Sequence, residues 1–524
     1  METSLHLRSS RGRQIPLRIT PSTGDDPKED DNLYCPLALE ATSWAHMNGL
    51  QMVSQTDEAF IHAPFSLLPN KISRQEFEKV KRLAPVFNTL IDRIACDRTW
   101  LLDAIEPALA TDAFTARLSS IMASTPHQRV RLGLHRSDYM MDDSAEGAVF
   151  KQIELNTIAS SFGCISAKVT ALHQFILKRF GSDPQLGPRV SEAIKTLNLD
   201  RVQDSTDKGF DMAAHVAEEC LPLNPTLRDL PAALAAAHAQ YGVPGSIIVF
   251  VVQPNERNVI DQRMLEQELW TTNNVRVRRL TLAELASHRS VLSGDGSDDD
   301  DRVLTVDGEE VSVVYFRAGY TPDDYPTDAE WKAREILERS TAVKCPSLAY
   351  HLAGTKIVQQ AIAQPGQLER FLDPTEAAEV RTSFVGLHLV STESMESSSE
   401  AGLAVQEALM HPERYVLKPQ REGGGNNLYG AELADRIRSG LDLEDLVLMQ
   451  RIMPPIEPAW FVRQGQVQRG MSLSELGVFG TFLAADDRVV INQYAGHILR
   501  TKQDGVDEGG VATGYSVLSS PLLN

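Results

Sequence analysis

Cysteine is scarce in this chain, with five residues in 524 and no C-x-x-C spacing. An odd number of scattered cysteines does not build a disulfide framework, and it lacks the paired ligands of a zinc site. The pattern is typical of a reducing compartment, so we expect a cytoplasmic location. The five residues are Cys35, Cys96, Cys164, Cys220 and Cys345.

Long apolar runs are missing as well. The longest, "IIVFVV" at residues 247–252, is far shorter than the roughly 20 residues that cross a bilayer. Pro244 and Pro254 bound this run, which therefore predicts a buried strand. The first 30 residues contain four arginines but no apolar core of a signal peptide, so we expect no membrane partner and a flexible tail over residues 1–35. A weak organelle-targeting role stays open, because acidic residues are sparse before Asp25.

The chain has fewer positively than negatively charged residues. It contains 51 lysines and arginines and 71 acidic residues, which gives a net charge of −20. A nucleic-acid backbone binds to basic surfaces that release its counterions, so nucleic acid is excluded as a partner. Small anions can still bind in local basic pockets. The hydrophobic fraction of 42% is that of a globular protein, and the length predicts about three domains.

The apolar pattern predicts helices in the N-terminal third and a parallel sheet in the middle of the chain. Ser73 and Glu76 form a capping box at the start of a helix, and two strands follow, "RVRLGLHRSDYM" and "FKQIELNTI". A helix ending at Gly242, the strand at 247–252, a helix from Asp261 and the strand "VRVRRL" come next. Strand, helix, strand in this order predicts parallel pairing. The Asp307-Gly308 pair predicts a hairpin turn.

A glycine-rich loop, "KPQREGGGNNLYG" at residues 418–430, follows the predicted strand "RYVLK". Backbone N–H groups at glycine can surround phosphate oxygens, Lys418 adds positive charge, and Glu422 can hold the Mg²⁺ that accompanies a nucleotide. The order of lysine and glycines differs from that of a Walker loop, and protein-kinase motifs are lacking. An exposed hairpin is the alternative interpretation of this loop.

Glu154 and Asn156 lie two residues apart on a predicted strand, which places their oxygen atoms on one face. Such a pair is commonly just a solvated sheet face. Its occurrence together with Lys418 and Glu422 indicates a metal site.

Polar residues also follow the predicted buried strands, where small molecules bind in open α/β sheets. Glu256, Asn258 and Gln262 offer one carboxylate and two amides, suited to the ammonium and polar groups of a small molecule. Ordinary helix capping is the alternative. Arginine can clamp a carboxylate with two hydrogen bonds, although surface ion pairing is its commoner role. Arg136, Arg317 and Tyr320 also lie at the ends of predicted strands.

The C-terminal part contains Glu475 beside an apolar run, and then Arg500 and Lys502 before a second glycine-rich loop, "QDGVDEGGVATG". We interpret this loop as a second mobile element that binds anions. A solvated lysine–arginine pair before a flexible tail is the alternative.

Seven segments, in order from about Ala63 to the C-terminus, closely resemble those of eukaryotic-type glutathione synthetases, a family of ATP-grasp ligases. They are "IELNTIASSFG", "ERNVIDQR", "VVYFRAGY", "LAGTK", "LKPQREGGGNNLYG", "SELGVFG" and "LRTK…GGVATG". The resemblance implies a mixed α/β (α+β) protein with the ATP-grasp fold, an inserted parallel-sheet substrate-binding domain and a glycine-rich lid.

The domain limits that follow from this resemblance are expectations. They are a tail at 1–35, a helical region with ATP-grasp strands and the metal motif at 36–243, a substrate-binding α/β domain at 244–355, and a nucleotide-binding region at 356–524. The last region contains the lid at 416–430 and a substrate loop at 503–514.

The resemblance also assigns roles to residues. As metal ligands it implies Glu154, Asn156 and Glu422, and as catalytic residues Arg136, Lys418 and Arg500. As ATP-binding residues it implies Glu154, Lys356, Lys418, Glu422, Gly423, Gly424, Gly425, Asn427, Tyr429, Met449, Gln450, Arg451, Ile452, Glu475 and Lys502. As contacts of the peptide substrate it implies Arg136, Ser161, Glu256, Asn258, Gln262, Arg317, Tyr320, Arg500, Val511 and Ala512.

The implied reaction joins γ-L-glutamyl-L-cysteine to glycine through an acyl phosphate, with ATP and Mg²⁺, in a homodimer. Two departures from the family pattern occur: Gln450 replaces the usual glutamate, and Thr513 replaces an alanine of "GGVAAG". Because Thr513 lies in the substrate loop, a homoglutathione-type synthetase that uses β-alanine is one alternative. A nucleotide-binding regulator without catalysis is another.

Overall fold

The computed structural model describes residues 6–8, 14–16, 35–56, 58–143, 147–196, 212–293, 302–391, 397–421, 425–441 and 443–524. The helices are α1 Cys35–Met47, α2 Arg74–Cys96, α3 Arg98–Leu109, α4 Ala113–Ala123, α5 Gly163–Phe180, α6 Gly187–Thr196, α7 Met212–Glu219, α8 Thr226–Tyr241, α9 Val259–Asn273, α10 Leu282–Glu284, α11 Asp328–Arg339, α12 Leu348–Ala353, α13 Lys356–Ala363, α14 Leu368–Phe371, α15 Pro374–Arg381, α16 Glu400–Met410 and α17 Gly430–Ser439.

The strands are β1 His6–Arg8, β2 Gln14–Pro16, β3 Gln51–Val53, β4 Phe60–His62, β5 Phe65–Ser66, β6 Asn70–Ile72, β7 Val130–Asp142, β8 Val149–Asn156, β9 Ile247–Val251, β10 Val277–Leu280, β11 Ser290–Leu292, β12 Leu304–Val306, β13 Glu309–Phe316, β14 Val343–Cys345, β15 Leu387–Leu389, β16 Tyr415–Lys418, β17 Leu428–Tyr429, β18 Val447–Gln450, β19 Glu457–Arg463, β20 Gln466–Ala485, β21 Arg488–Gln503, β22 Ser516–Ser519 and β23 Pro521–Leu523. Three sheets position the site, and we call them the central, parallel and small sheets.

The central sheet has the strand order β19-β5-β22-β21-β20-β7-β8. The first part of β20 also pairs with β19, so five of these strands form a closed circuit. Helices α2, α5 and α8 pack against the long strands β20 and β21. The C-terminal strands return to the N-terminal part, because β22 pairs in parallel with β5 and β23 with β6.

The parallel sheet confirms the pairing predicted for the middle of the chain. Strand β9 is fully buried along its length and pairs in parallel with β10 and β13, while β14 pairs in parallel with β13. The predicted hairpin is also present between β12 and β13. Asp307 and Gly308 have φ values of 51° and 80°, the left-handed conformation that a tight hairpin turn requires.

The small sheet, β15-β18-β16-β17, is antiparallel and contains the predicted strand that ends at Lys418. Its helices α16 and α17 cover one face, where Leu417, Leu433 and Leu448 form a separate apolar core. Glu422, Gly423 and Gly424 of the predicted lid lie outside the described residues, as does most of the acidic segment at 293–301.

Two local predictions need correction. The side chain of Ser73 does cap α2, but Glu76 does not complete the capping box, because its Oε2 accepts from the backbone N–H of Phe150 at 2.8 Å. Arg136 lies in the middle of β7 and not at a strand end, because β7 continues for six residues beyond it. In the described part of the chain, no helix is both long and apolar enough to cross a membrane.

Four buried histidines predict a strong loss of stability in mild acid. Burial lowers the pKa of His135 and His173 from 6.5 to about 4, and that of His351 and His497 from 6.5 to about 3. The unfolded chain therefore takes up protons below pH 6.5 that the folded chain does not. Each histidine then costs about 1.4 kcal/mol of unfolding free energy per pH unit, until pH falls to the folded pKa.

We expect the urea midpoint of unfolding to fall steeply between pH 7.5 and pH 5.5. In this range His173→Gln should flatten the pH dependence relative to wild type, whereas the same change at the half-exposed His411 should leave it as it was. Equal slopes for the wild type and His173→Gln would contradict the prediction.

Candidate active site

A cavity of about 570 Å³ lies where the central, parallel and small sheets meet. Of the candidate residues that the structure describes, all line this cavity except Gln262 and Gly425. The sequence segments that carry them are up to several hundred residues apart, so the fold brings one set of polar side chains together. Their individual roles in binding stay predictions.

Asp138 lies at the centre of the polar network and was missed by the sequence analysis. Its fully buried carboxylate accepts two hydrogen bonds from Arg136, at 2.7 and 2.8 Å. The same carboxylate accepts from Arg500 at 2.8 Å and from the amide of Asn156 at 3.0 Å. Asp138 thereby fixes two predicted substrate arginines and one predicted metal ligand.

Gly477 explains how this network fits into the sheet. It lies opposite Asp138 in the pairing of β20 with β7. A Cβ atom at position 477 would come within 2.6 Å of Asp138 Oδ1 and 2.9 Å of Arg136 Cδ. Any side chain at position 477 would therefore clash with Asp138 and Arg136, which explains the first glycine of "SELGVFG".

Glu154 lies opposite Asp138 in the pairing of β7 with β8, and it is surrounded by cations. Its Oε2 is 3.5 Å from Nζ of Lys356, the first residue of α13. Burial opposes ionisation of Glu154, but Lys356, Lys418 and Arg500 outweigh it and lower the pKa of this carboxyl to about 2. The carboxylate is thus charged at all physiological pH values.

Glu475 and Arg500 face each other across β20 and β21 and form an ion pair within the cavity. Burial raises the pKa of Glu475, although Arg500 acts in the opposite direction. The Nε atom of Arg500 is buried without a hydrogen-bond partner, so this guanidinium has a donor available to a ligand.

The parallel-sheet side of the cavity contains buried polar atoms with no partner. Both amide atoms of Asn258 and the Nη2 atom of Arg317 make no hydrogen bond, although each residue is only 2% exposed. Asn258 begins α9, but its side chain makes no capping hydrogen bond, so capping does not account for it. Unpaired buried polar groups are costly, and a polar ligand would satisfy them.

Asp261 and Gln262 support this end of the cavity from behind. The carboxylate of Asp261 pairs with Arg317 at 3.2 Å and also accepts from the backbone N–H groups of Phe162, Cys164 and Ile165 at the start of α5. Gln262 is fully buried outside the cavity lining, where its Nε2 lies 3.3 Å from Glu256 Oε2. Gln262 therefore supports Glu256 and is not among the residues that line the cavity, and its predicted contact with the substrate stays a prediction.

The side of the cavity formed by the small sheet is apolar, whereas the central part of the cavity is charged. Val416, Met449 and Ile452 form a buried cluster against which Tyr429 packs. Lys418 Nζ donates to the backbone carbonyl of Ile153 at 2.9 Å, next to Glu154. A flat apolar ring and an anionic chain can therefore bind side by side here.

The two glycine-rich loops contact each other. Gly425 of the predicted lid donates its N–H to Glu508 of the substrate loop at 2.9 Å. Asp507 pairs with Arg451 at 2.7 Å, and its carbonyl accepts from Lys502 at 2.6 Å. Thr513 Oγ1 donates to the carbonyl of Gly510 at 3.1 Å, so this hydroxyl is bound within its own loop.

Several lining residues escaped the sequence analysis: Arg257, Arg421, Asp507 and Glu508. A signal existed for Asp138, because it lies two residues after Arg136 on the same face of a strand. Asp261 was noticed only as the start of a helix. For Arg421, whose Nη1 donates to the buried Asp112 at 2.8 Å, the partner is 309 residues away and left no local pattern.

Comparisons with known proteins identify the family. The family model of the eukaryotic glutathione synthase ATP-binding domain matches residues 33–523. The chain is 36% identical to the chloroplastic glutathione synthetase of Arabidopsis thaliana, over 98% of this chain and 89% of that protein. It is also 36% identical to the glutathione synthetase of Homo sapiens, over 93% of this chain and 96% of the human protein.

A solved structure shows the same fold. The glutathione synthetase-like effector of Globodera pallida, in its apo form, aligns with a TM-score of 0.70 at 21% identity, over 97% of this chain and 100% of that one. The family match and the identity to curated relatives both extend over nearly the whole chain. This protein is therefore a member of the eukaryotic glutathione synthase family of ATP-binding ligases.

Proposed function

We propose that this enzyme joins γ-L-glutamyl-L-cysteine to glycine with consumption of ATP, and so forms glutathione, ADP and phosphate. The observation that carries the proposal is the set of unpaired buried atoms of Asn258 and Arg317 at one end of the cavity. A guanidinium beside an amide and the Glu256 carboxylate fits the carboxylate and ammonium of a γ-glutamyl group. The lysines 356 and 418 at the opposite end fit a polyphosphate.

The cysteinyl carboxylate of the dipeptide is unreactive toward an amine until it is activated. Its oxygen attacks the γ-phosphorus of ATP, the bond to the β-phosphate oxygen breaks, and ADP leaves. The amine of glycine then attacks the acyl carbon, the C–O bond to the phosphate breaks, phosphate leaves with that oxygen and the electron pair, and the nitrogen loses a proton. Lys356, Lys418 and Arg500 neutralise the charge on the transferred group, and Arg136 orients the carboxylate.

Mg²⁺ is part of this proposal. Asn156 donates its Nδ2 to Asp138, which leaves the amide oxygen as the donor available to a cation, and Glu154 is ionised. Two hard oxygen atoms on one strand face fit Mg²⁺, with Glu422 as a third ligand from the lid. Glu422 lies outside the described residues, and within the described part of the chain no group of three His, Cys, Asp or Glu side chains could hold a metal ion. When bound, Mg²⁺ screens the negative charge of the phosphates.

The decisive experiment measures ATP consumption by the purified protein with γ-glutamylcysteine and glycine, with products identified by mass spectrometry. We expect one ADP and one phosphate per glutathione. Nucleotide binding without turnover under saturating Mg²⁺ would instead identify a regulator without catalysis.

We expect glycine to be preferred over β-alanine despite Thr513. The hydroxyl of Thr513 is bound to Gly510, so it does not offer a new contact to a longer amine. One additional methylene in a tight pocket costs about 1–3 kcal/mol, so kcat/KM for β-alanine should be roughly ten- to a few-hundredfold lower. The two amines are mixed at equal concentration, and a β-alanine product equal to the glycine product would contradict this prediction.

We also propose a homodimer and a cytoplasmic location. Met47 at the end of α1 and Phe60 on the adjacent β4 are 83% and 56% exposed, and a second copy would cover them. Light scattering with size-exclusion chromatography tests the dimer, with Phe60→Ser as the variant expected to weaken it.

The scattered cysteines support a reducing compartment, although some plant relatives are named chloroplastic. Imaging of a fluorescent fusion tests the location.

A further inference from the structure

Arg257 connects three segments that are far apart in sequence. Its Nε donates to the backbone carbonyl of Val53 at 3.1 Å, and the N–H of Val53 donates back to the carbonyl of Arg257 at 2.9 Å. Its Nη1 donates to the carbonyl of Ala512 in the substrate loop. One guanidinium thus joins β3, the start of α9 and the loop that borders the cavity.

The segment that Arg257 holds is rich in glycine and lies directly over the cavity. Residues 506–513 all line the cavity, and Gly510 has a φ of 120°, a backbone conformation that residues with a side chain rarely adopt. Val511 is buried beneath the loop, next to the carbonyl that Arg257 binds. This end of the loop is therefore held by the guanidinium and by one apolar side chain, together with the backbone hydrogen bond from the N–H of Ser516 to the carbonyl of Gly510.

The anchor on the other side of Arg257 is firm. Val53 belongs to the β3–β4 hairpin, where it pairs with Phe60, and β3 also packs against α9. The planar guanidinium presents Nε and Nη1 at a fixed angle, so it can bind both carbonyls at once. A lysine at this position has all its donors on one freely rotating nitrogen, so it cannot present two separate donor atoms at a fixed angle.

We propose that Arg257 is a positioning residue that keeps the substrate loop closed over the reacting carboxylate. This inference rests on the proposed function. A closed loop lets glycine reach the acyl phosphate and keeps water away. When the loop opens, water attacks the same acyl carbon, phosphate leaves, and the dipeptide carboxylate is regenerated, so that ATP is hydrolysed without forming product.

The test compares Arg257→Ala and Arg257→Lys with wild type by the ratio of phosphate released to glutathione formed. We expect a ratio of one for wild type and a ratio above one for Arg257→Ala, which returns toward one as glycine is raised. Loss of a charge-assisted hydrogen bond should raise the KM for glycine by about ten- to a hundredfold, with a smaller rise for Arg257→Lys. The matched control is Arg263→Ala on α9, the helix that follows Arg257, where the arginine pairs with Glu266 at the surface.

A ratio of one and an unchanged KM for glycine in Arg257→Ala would overturn the inference. Hydrogen exchange of residues 506–513 in the free protein gives a second readout that needs no activity. Faster exchange in Arg257→Ala, or in Arg257→Lys if the alanine variant does not fold, supports the role, and unchanged exchange refutes it. If the wild type forms no glutathione, the proposed function fails, and the exchange measurement still decides whether Arg257 holds the loop.

Discussion

Glu154→Gln is expected to lower turnover by about a hundred- to a thousandfold, the range seen when one preorganised charge contact is removed from an active site. The substitution keeps the shape of the side chain and removes its charge. Lys356 and Lys418, which together hold the pKa of Glu154 at about 2, then lose their nearby anion. The proposed metal loses its charged ligand on β8, and the phosphates bind with altered geometry.

The measurement is the initial rate of ADP formation at saturating substrates over a range of Mg²⁺ concentrations. The control is Glu413→Gln, an exposed carboxylate near the small sheet. Because the folded pKa of Glu154 lies below the unfolded value of 4.5, its stabilising charge is present above pH 4.5 and is lost only as pH falls toward 2. Lowering pH from 8 to 6 should therefore not imitate the variant. Near-normal turnover of Glu154→Gln would contradict the assignment.

Asp138→Asn is expected to have the largest effect on stability. The variant leaves the guanidinium groups of Arg136 and Arg500 buried side by side without the carboxylate that joins them. Removing one partner from a buried ion pair costs about 3–5 kcal/mol. The same loss should weaken binding of the dipeptide, because both arginines lose their fixed orientation.

Urea unfolding and calorimetric titration with γ-glutamylcysteine measure the two effects separately. Asp486→Asn is the matched control, since Asp486 also pairs with an arginine, Arg129, but at the surface. An exposed pair contributes at most about 1 kcal/mol, so this control should unfold close to the wild-type midpoint. If Asp138→Asn resembles Asp486→Asn in both measurements, the central role of Asp138 is wrong.

Local patterns were sufficient to predict much of the fold. The run at 247–252 is apolar and bounded by prolines, and it forms the buried β9. Strand and helix then alternate, and the pairing of β9 with β10 is parallel as expected. At these positions the secondary structure is determined by residues that are close in sequence. Part of the candidate site was predicted in the same way, from glycine-rich loops and strand ends, whereas residues such as Lys356 and Met449 were assigned only by the family resemblance.

Interactions between distant segments could not be predicted in this way. Asp138 stands in a strand whose local pattern does not reveal that Arg500 will lie beside it. Arg257 escaped the sequence analysis because its partners, Val53 and Ala512, are 204 and 255 positions away. Gln262 was predicted to contact the substrate, and the hydrogen bond that it accepts from Arg279 on β10, 17 positions away, left no local pattern. Each depends on packing between elements, which one segment alone does not encode.

The pairing of β22 with β5 and of β23 with β6 has a consequence for biosynthesis. Arg74 and the carbonyl of Leu523, which are in contact at this edge, are 449 positions apart. A ribosome adding about 5–20 residues per second completes that interval in roughly 20–90 s, during which β6 at residues 70–72 lacks its partner strand β23. Every nascent chain thus presents an open edge that another copy can occupy. Chaperone supply and the rate of translation should therefore govern the yield of folded enzyme.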